Sequence, residues 1–478
     1  MQAAQLLLLL LAAGALCVGA FAPGSGAGAG TGAVASAGTA LGGVQRHRLQ
    51  AALSSTSKDG PVALLRRARD SQCGELGTAV ATGLVVGLAV KSAKSVLAVV
   101  EGARRGVWAT PLVGGVFVSF LYMIRNDISV GAASIGTEDQ FSLQRQLLRF
   151  LAVIVVVGTG NALALAGPAA EFGMTIARVL SGGATRQGGI SKARPLILAG
   201  AAAGFSANFD APLSATLYAL EVAKKSIYGP PTLLAAADQV ASSQKELNFL
   251  MLAAYASSVV VRGRLGFPSY TRGPLAQVSY PVLAGVTYPL IFAIGIAAGA
   301  LTAFIQGPLY ESIATTFFLR MPRPTRAFFG GAINAATEGV GLSQSLPALY
   351  RAYGAIAEGR VSGIALAKFL AVKIFCIQTS LASGLIGGAV APFLIVGSAL
   401  GALFAGQAPA AASSVVAVAS ASVLAAFYQA PLTFAVLIVE MTQQLHLAAP
   451  LLLVTAVSAS TSDVVTQWLR RVPARQVT

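Results

Sequence analysis

The chain has 478 residues, of which 55% are hydrophobic and only 10% are charged, whereas about 25% of the residues of globular chains are charged. With a mean hydropathy of +0.73 it cannot form a soluble surface, so we predict an all-α, polytopic membrane protein. The net charge is +16, but no patch interleaves basic and aromatic residues, which argues against a nucleic-acid partner. We expect the basic side chains to set topology and to contact membrane lipid; an anion-attracting mouth is the alternative role.

The N-terminal residues have the composition of two targeting segments. An apolar, Leu/Ala-rich run covers residues 3–21 and ends in small residues, which predicts a signal peptide over 1–20. The following stretch has no Asp or Glu as far as Lys58 but contains Arg, Ser and Thr, which predicts a transit peptide or disordered segment over 21–70. This two-part leader resembles those of algae with secondary plastids, so we expect delivery to a plastid. A secretory signal followed by a disordered linker is the alternative.

The remainder predicts one transmembrane domain over residues 71–472, with two halves at about 71–262 and 278–472. Several of its apolar stretches exceed the roughly 20 residues that one span needs. Gly or Pro interrupts them, so we expect two short helices in each of these stretches. Residues 473–478 form a short tail, in which we expect no cytosolic regulatory domain.

One phrase occurs in both halves. Residues 211–214 read Ala-Pro-Leu-Ser and are followed, after six intervening residues, by Glu221. Residues 430–433 read Ala-Pro-Leu-Thr and are followed, again after six intervening residues, by Glu440. Both phrases lie in apolar stretches and follow segments rich in small residues.

A second pair of motifs precedes the first pair in the same order. Residues 166–168 read Ala-Gly-Pro, and residues 388–392 read Gly-Ala-Val-Ala-Pro. Paired, Gly/Pro-interrupted apolar segments at corresponding positions indicate a transporter built from repeats, with its binding site where the repeats meet.

Four segments together resemble the CLC chloride channel and transporter family. Residues 158–168 are similar to its G-x-G-x-x-L-G-x-E-G-P segment, and residues 384–392 to its G-G-x-F-x-P segment. Residues 200–221 resemble its G-A-A-A-G…F-N-A-P-L…E stretch, and residues 427–442 its A-P-L-T…E-M-T stretch. Their order and spacing agree over roughly residues 75–469, and the Gly-Thr-Gly-Asn phrase is nearest to the plant plastid-type (CLC-e-like) branch.

The resemblance implies a fold of two inverted-topology repeats with broken, tilted helices. It also implies transport of chloride or another small anion by a homodimer in which each protomer has its own pore. The plastid-type branch suggests the thylakoid membrane.

Helix N-termini suit an anion in a bilayer because their first N–H groups are unpaired and carry about half a positive charge. Pro168 and Pro392 fit the first turn of a helix, where the missing N–H costs nothing. The candidate anion-binding main-chain amides are those of Leu165, Ala166, Gly167, Ala389, Val390 and Ala391.

The chain departs from the family pattern at several positions. The gate glutamate of the family corresponds to Ala166, and the proton-accepting glutamate of its exchangers corresponds to Val222. The phenylalanine of the G-G-x-F-x-P segment is Val390, no tyrosine follows Tyr428, and residues 131–135 are only a faint counterpart of the serine-bearing G-S-G-I-P element. We therefore expect an ungated, uncoupled site without side-chain hydroxyls.

These departures predict a passive anion channel for chloride or nitrate. A coupled exchanger that uses Glu221 or Asp210 as the proton relay is the first alternative. A non-conducting membrane scaffold or partner subunit is the second.

The other charges in apolar stretches have structural interpretations. We expect Glu221 and Glu440 to pair with loop amides or basic residues, and Glu171 to stabilise the start of a helix through its dipole. Lys368 and Lys373 are predicted to snorkel toward the membrane surface.

Enzyme and metal functions find no support in the sequence. Cys17, Cys73 and Cys376 lack metal-ligand spacing, and His47 and His446 are the only histidines. We expect no cofactor, no metal site and no catalytic residue.

Overall fold

The computed structural model describes residues 72–104, 107–129, 142–224, 244–263, 275, 278–283, 288–342, 345–361, 363–406 and 409–471. The predicted leader over residues 1–70, the faint serine element at 131–135 and the tail at 473–478 lie outside the described residues.

The described part of the first half is helical. Its helices are α1 (Gln72–Ala103), α2 (Thr110–Ile124), α3 (Leu143–Gly158), α4 (Ala166–Leu180), α5 (Gly182–Phe209), α6 (Pro212–Tyr218) and α7 (Gln244–Arg262). A π-helical turn, Ala219–Ala223, continues α6.

The second half is helical as well. Its helices are α8 (Tyr288–Phe304), α9 (Arg323–Gly339), α10 (Leu346–Ala357), α11 (Gly363–Ala382), α12 (Val390–Ala405), α13 (Ala412–Tyr428), α14 (Pro431–Thr442) and α15 (Ala448–Arg471). Two π-helical turns, Ile305–Leu309 and Ala314–Phe318, extend α8.

The helix lengths fit a polytopic membrane protein. Among the residues that the structure describes, five helical segments are long and apolar enough to cross a bilayer: 74–103, 288–318, 363–382, 409–428 and 445–471. Other apolar helices, such as α2, α12 and α14, have 10–17 residues, fewer than the roughly 20 that a full span needs.

The predicted breaks in the long apolar stretches are confirmed. The stretch over 147–180 separates into α3 and α4 at residues 159–165. The stretch over 194–223 separates at Asp210, a left-handed residue with φ of 56° that ends α5.

The second half repeats the architecture of the first. Helix α4 packs on α5 as α12 packs on α13, and α7 packs on α5 as α15 packs on α13. Gln429 ends α13 with a φ of 52°, so it matches Asp210 in both backbone conformation and position before the Ala-Pro-Leu phrase. The segments that lead into α4 and α12 run antiparallel at Ala164 and Gly388, as an inverted relation between the halves requires.

The prediction for the two lysines of α11 is wrong at one position. Lys368 is exposed, but only 1% of Lys373 is exposed. Lys373 lies on the face of α11 that packs inside the protein, so it does not snorkel to the membrane surface.

Glycine permits α4 and α5 to approach backbone to backbone. A Cβ at Gly173 would overlap the Gly200 carbonyl, and a Cβ at Gly204 would overlap the Ala169 carbonyl. Small residues at such crossings are typical of helix pairs in membranes, where packing rather than hydrophobicity drives association.

We therefore expect Gly173→Ala to destabilise the fold by about 1–3 kcal/mol, the usual cost of overpacking, because the Gly200 carbonyl must move. Thermal unfolding of the detergent-solubilised protein measures this loss as a lower midpoint. Gly102→Ala is the matched control, since a Cβ there meets no atom within 4 Å. Equal midpoints for the two variants would contradict the close crossing.

Candidate functional site

Helices α4 and α12 begin in the same way. The first helical residue is Ala166 in α4 and Val390 in α12, and Pro168 and Pro392 are each the third helical residue. The first turns close through hydrogen bonds from Ala169 N to Leu165 O at 2.8 Å and from Phe393 N to Ala389 O at 2.9 Å. The amides that precede each proline lie ahead of these bonds and have no acceptor within their own helix.

The two helix starts are joined at one point. Ala164 N donates to Gly388 O at 2.7 Å, and Gly388 N donates to Ala164 O at 2.6 Å. A Cβ at Gly388 would lie only 3.0 Å from the Gly167 nitrogen and from Pro168 Cδ. Glycine at position 388 therefore lets the N-terminus of one half meet that of the other.

A cavity of about 280 Å³ lies beside this junction. At roughly 30 Å³ per water, it accommodates a small anion together with several waters. Both halves contribute to its wall. The described lining residues are Gly167, Pro168, Ala170, Glu171, Met174, Tyr218, Val222, Ala223, Leu381, Gly387, Gly388, Ala389, Phe427 and Tyr428.

Some of the predicted site residues reach this wall. Gly167 and Ala389 do, and so do Pro168 and the position of the lost proton glutamate, Val222. The others are buried next to the junction but outside the described lining. These are Leu165, Ala166, Val390, Ala391 and Pro392.

Glu221 and Glu440 each cap a helix of the opposite half. Glu440 accepts hydrogen bonds from Leu213 N at 3.1 Å and Ser214 N at 2.8 Å, at the start of α6. Glu221 accepts from Leu432 N at 3.2 Å and from Thr433 N at 2.7 Å, at the start of α14. The Thr433 hydroxyl adds a further bond to Glu221 at 2.6 Å. The two carboxylates thus offset the partial positive charge at the N-termini of α6 and α14.

Two tyrosines on the cavity wall were not predicted from the sequence. Tyr218 ends α6 and Tyr428 ends α13, and both residues line the cavity. The sequence signal that could have identified these tyrosines is their position near the two Ala-Pro-Leu phrases.

Glu171 has a different role from the one predicted. Because α4 begins at Ala166, Glu171 falls in the second turn rather than at the helix start. Its Oε2 accepts a hydrogen bond from Arg149 Nε at 2.8 Å. The carboxylate is therefore part of an ion pair.

Asp210 is also held in an ion pair. Arg262 Nε lies 2.9 Å from its carboxylate, and Ser258 donates a hydrogen bond to it. Within the described residues, no group of three or more His, Cys, Asp or Glu side chains has the arrangement of a metal site.

We call the hydrogen bonds of Glu221 and Glu440 to helices of the opposite half the crossed caps. Removing one of them tests their contribution to stability. We expect Glu221→Gln to cost about 1–3 kcal/mol of stability, because partly buried amides at the start of α14 lose a charged acceptor. Thermal unfolding in detergent measures it. Glu358→Gln is the control, since the exposed Glu358–Arg360 pair is worth at most about 1 kcal/mol. A Glu221 variant as stable as the control would show that the cap contributes nothing.

Comparisons with known proteins agree with this architecture. The profile of the family described as voltage gated chloride channel matches residues 128–463. Chloride channel protein CLC-e of Arabidopsis thaliana is 27% identical over 72% of this chain, and H(+)/Cl(-) exchange transporter ClcA of Citrobacter koseri is 26% identical over 64% of it. The matched region is 50% of CLC-e and 63% of ClcA, so the chain spans about half to two thirds of these relatives.

The fold is also that of solved structures. A slow cyanobacterial Cl-/H+ antiporter aligns with a TM-score of 0.66 at 20% identity, over 84% of this chain and 98% of the antiporter. Since the family profile matches well over half of the chain, including both helix-start motifs, the chain belongs to the voltage gated chloride channel family, the CLC channels and transporters.

Proposed function

We propose that this chain conducts small anions passively, with chloride or nitrate as the ions, down their electrochemical gradient. One observation carries the proposal: helix N-termini from the two halves meet at a single cavity, where the position of the lost proton glutamate is Val222. The amides and dipoles supply partial positive charge for an anion, and a valine cannot carry a proton.

The environment of the other carboxylates argues against a proton relay through them. Glu221 accepts three hydrogen bonds from Leu432 and Thr433. Asp210 is held by Arg262 and Ser258. Both carboxylates are thus engaged in structural contacts, and neither belongs to the described lining of the cavity.

A coupled exchanger is the second candidate, and one observation favours it: Glu171 is a carboxylate on the cavity wall. Relatives such as ClcA are named as H(+)/Cl(-) exchange transporters. A non-conducting subunit is the third possibility, and a flux measurement addresses all three.

We infer a plastid membrane, with the thylakoid as the specific location, from the predicted two-part leader and from similarity to the plastid-type branch. A homodimer with one pore in each protomer is part of the same proposal.

Chloride release from liposomes tests passive conduction. We expect liposomes that contain the purified chain to release chloride when valinomycin clamps the membrane potential, without net proton movement and at equal rates across a range of pH. Nitrate is compared in the same assay. Protein-free liposomes are the control. Proton movement at a fixed ratio to chloride would establish an exchanger, and the absence of any anion flux would establish a non-conducting protein.

The gate position gives a second test. We expect Ala166→Glu to make the flux pH-dependent, with low flux at neutral pH and higher flux in acid, because an ionised carboxylate competes with the anion for the amide donors at the junction. Ala166→Gln is the matched control, since it has the same size but does not titrate. A pH profile for the Glu variant that equals the Gln profile would remove Ala166 from the anion path.

A further inference from the structure

We propose that the ion pair between Arg149 and Glu171 sets the anion affinity of the cavity, with Glu171 masking the Arg149 charge. This inference deepens the proposed function and rests on it. The Arg149 Nε lies 2.8 Å from Glu171 Oε2, and the two side chains are only 14% and 20% exposed. Arg149 is further fixed by a bond from Nη1 to the Ile128 carbonyl at 3.1 Å.

Glu171 lies on the face of α4 that forms the cavity wall. Gly167, Ala170 and Met174 share that face at helical spacing, and all three line the cavity with it. The cavity therefore contains a carboxylate at its edge, although its proposed ligand is an anion.

Arg149 approaches the carboxylate from α3. The register between the helices is fixed next to the pair, where Phe150 stacks on Phe172 with ring centroids 4.2 Å apart and planes inclined by 20°. The neighbours of these rings, Arg149 and Glu171, are thereby placed opposite each other. The pair is part of the packing between two helices and has little freedom to separate.

The charge balance of the wall follows from this arrangement. A bare carboxylate at the wall repels an anion, and in a partly buried site the repulsion is weakly screened. The guanidinium cancels it, so the entering anion meets a nearly neutral pair and the partial charges of the helix N-termini. Without Glu171, the Arg149 guanidinium loses this offsetting carboxylate and attracts the anion more strongly. The pair thus keeps the affinity low enough for release, the balance that fast conduction needs.

Four variants of the full chain in liposomes test the proposal: E171Q, R149Q, the double variant and the exposed-pair control E358Q. The readout is the chloride concentration that gives half of the maximal flux. We expect E171Q to lower it about tenfold and to reduce the maximal flux, and R149Q to raise it by at least about tenfold, roughly one unit charge in a partly buried site. The double variant returns to within about threefold of the wild type because the wall is neutral again.

A purely structural ion pair gives a different result. E171Q and R149Q then lower the thermal midpoint together and leave the half-saturating chloride concentration at the E358Q value, which overturns the proposal. R149K keeps the charge while changing the geometry, so we expect it to remain near the wild type. If R149Q does not fold, E171Q and R149K still decide the question.

Equilibrium binding separates this inference from the proposed function. Calorimetric titration of the detergent-solubilised protein with chloride measures affinity without transport. Tighter binding by E171Q than by the wild type supports the masking role even if the wild type passes no anions. A different pair of results overturns the masking role: the wild type couples protons to chloride, and E171Q loses this coupling at unchanged chloride affinity. Glu171 is then the proton carrier.

Discussion

The two halves of this protein are held together by a crossed pair of helix caps. Glu221, from the first half, accepts hydrogen bonds from the amides at the start of α14. Glu440, from the second half, accepts hydrogen bonds from the amides at the start of α6. In the interior of a bilayer, no water is available to accept hydrogen bonds from unpaired amides. Leaving such donors unsatisfied is costly, and each carboxylate satisfies two of them. The exchange also fixes α6 against α14, and Tyr218 at the end of α6 and Tyr428 shortly before α14 both line the cavity.

The crossed caps leave other helix starts available for an anion. At α6 and α14 the partial positive charge is already neutralised by a carboxylate. At α4 and α12 the helices begin at Ala166 and Val390 without a side-chain cap, and the Ala164–Gly388 hydrogen bonds hold the two starts together. The same fold therefore uses one pair of helix N-termini for assembly and the other for the cavity.

Much of this architecture could be predicted from the sequence because repeats and helix breaks are local patterns. The paired phrases located the two halves, and the Gly-Pro breaks located the starts of α4 and α12. Contacts between residues far apart in sequence could not be predicted in this way. The burial of Lys373 depends on how α11 packs against other helices, and the role of Glu171 depends on Arg149 across a helix pair. Tyr218 and Tyr428 come from different halves of the chain, and only the folded structure places both at one cavity.

In the π-helical turn Ala219–Ala223, adjacent residues have different roles: one joins the two halves of the protein and the next lines the cavity. Glu221 in this turn caps α14, while the next residue, Val222, lines the cavity. Because the Glu221 side chain is committed to three hydrogen bonds with the opposite half, this turn lines the cavity through Val222 and Ala223. Valine there presents a neutral, apolar surface, and the charge at the wall then comes from Glu171 with its partner Arg149. If the cavity is the anion site that we propose, its charged side chains are then a pair on α3 and α4 in which one charge offsets the other.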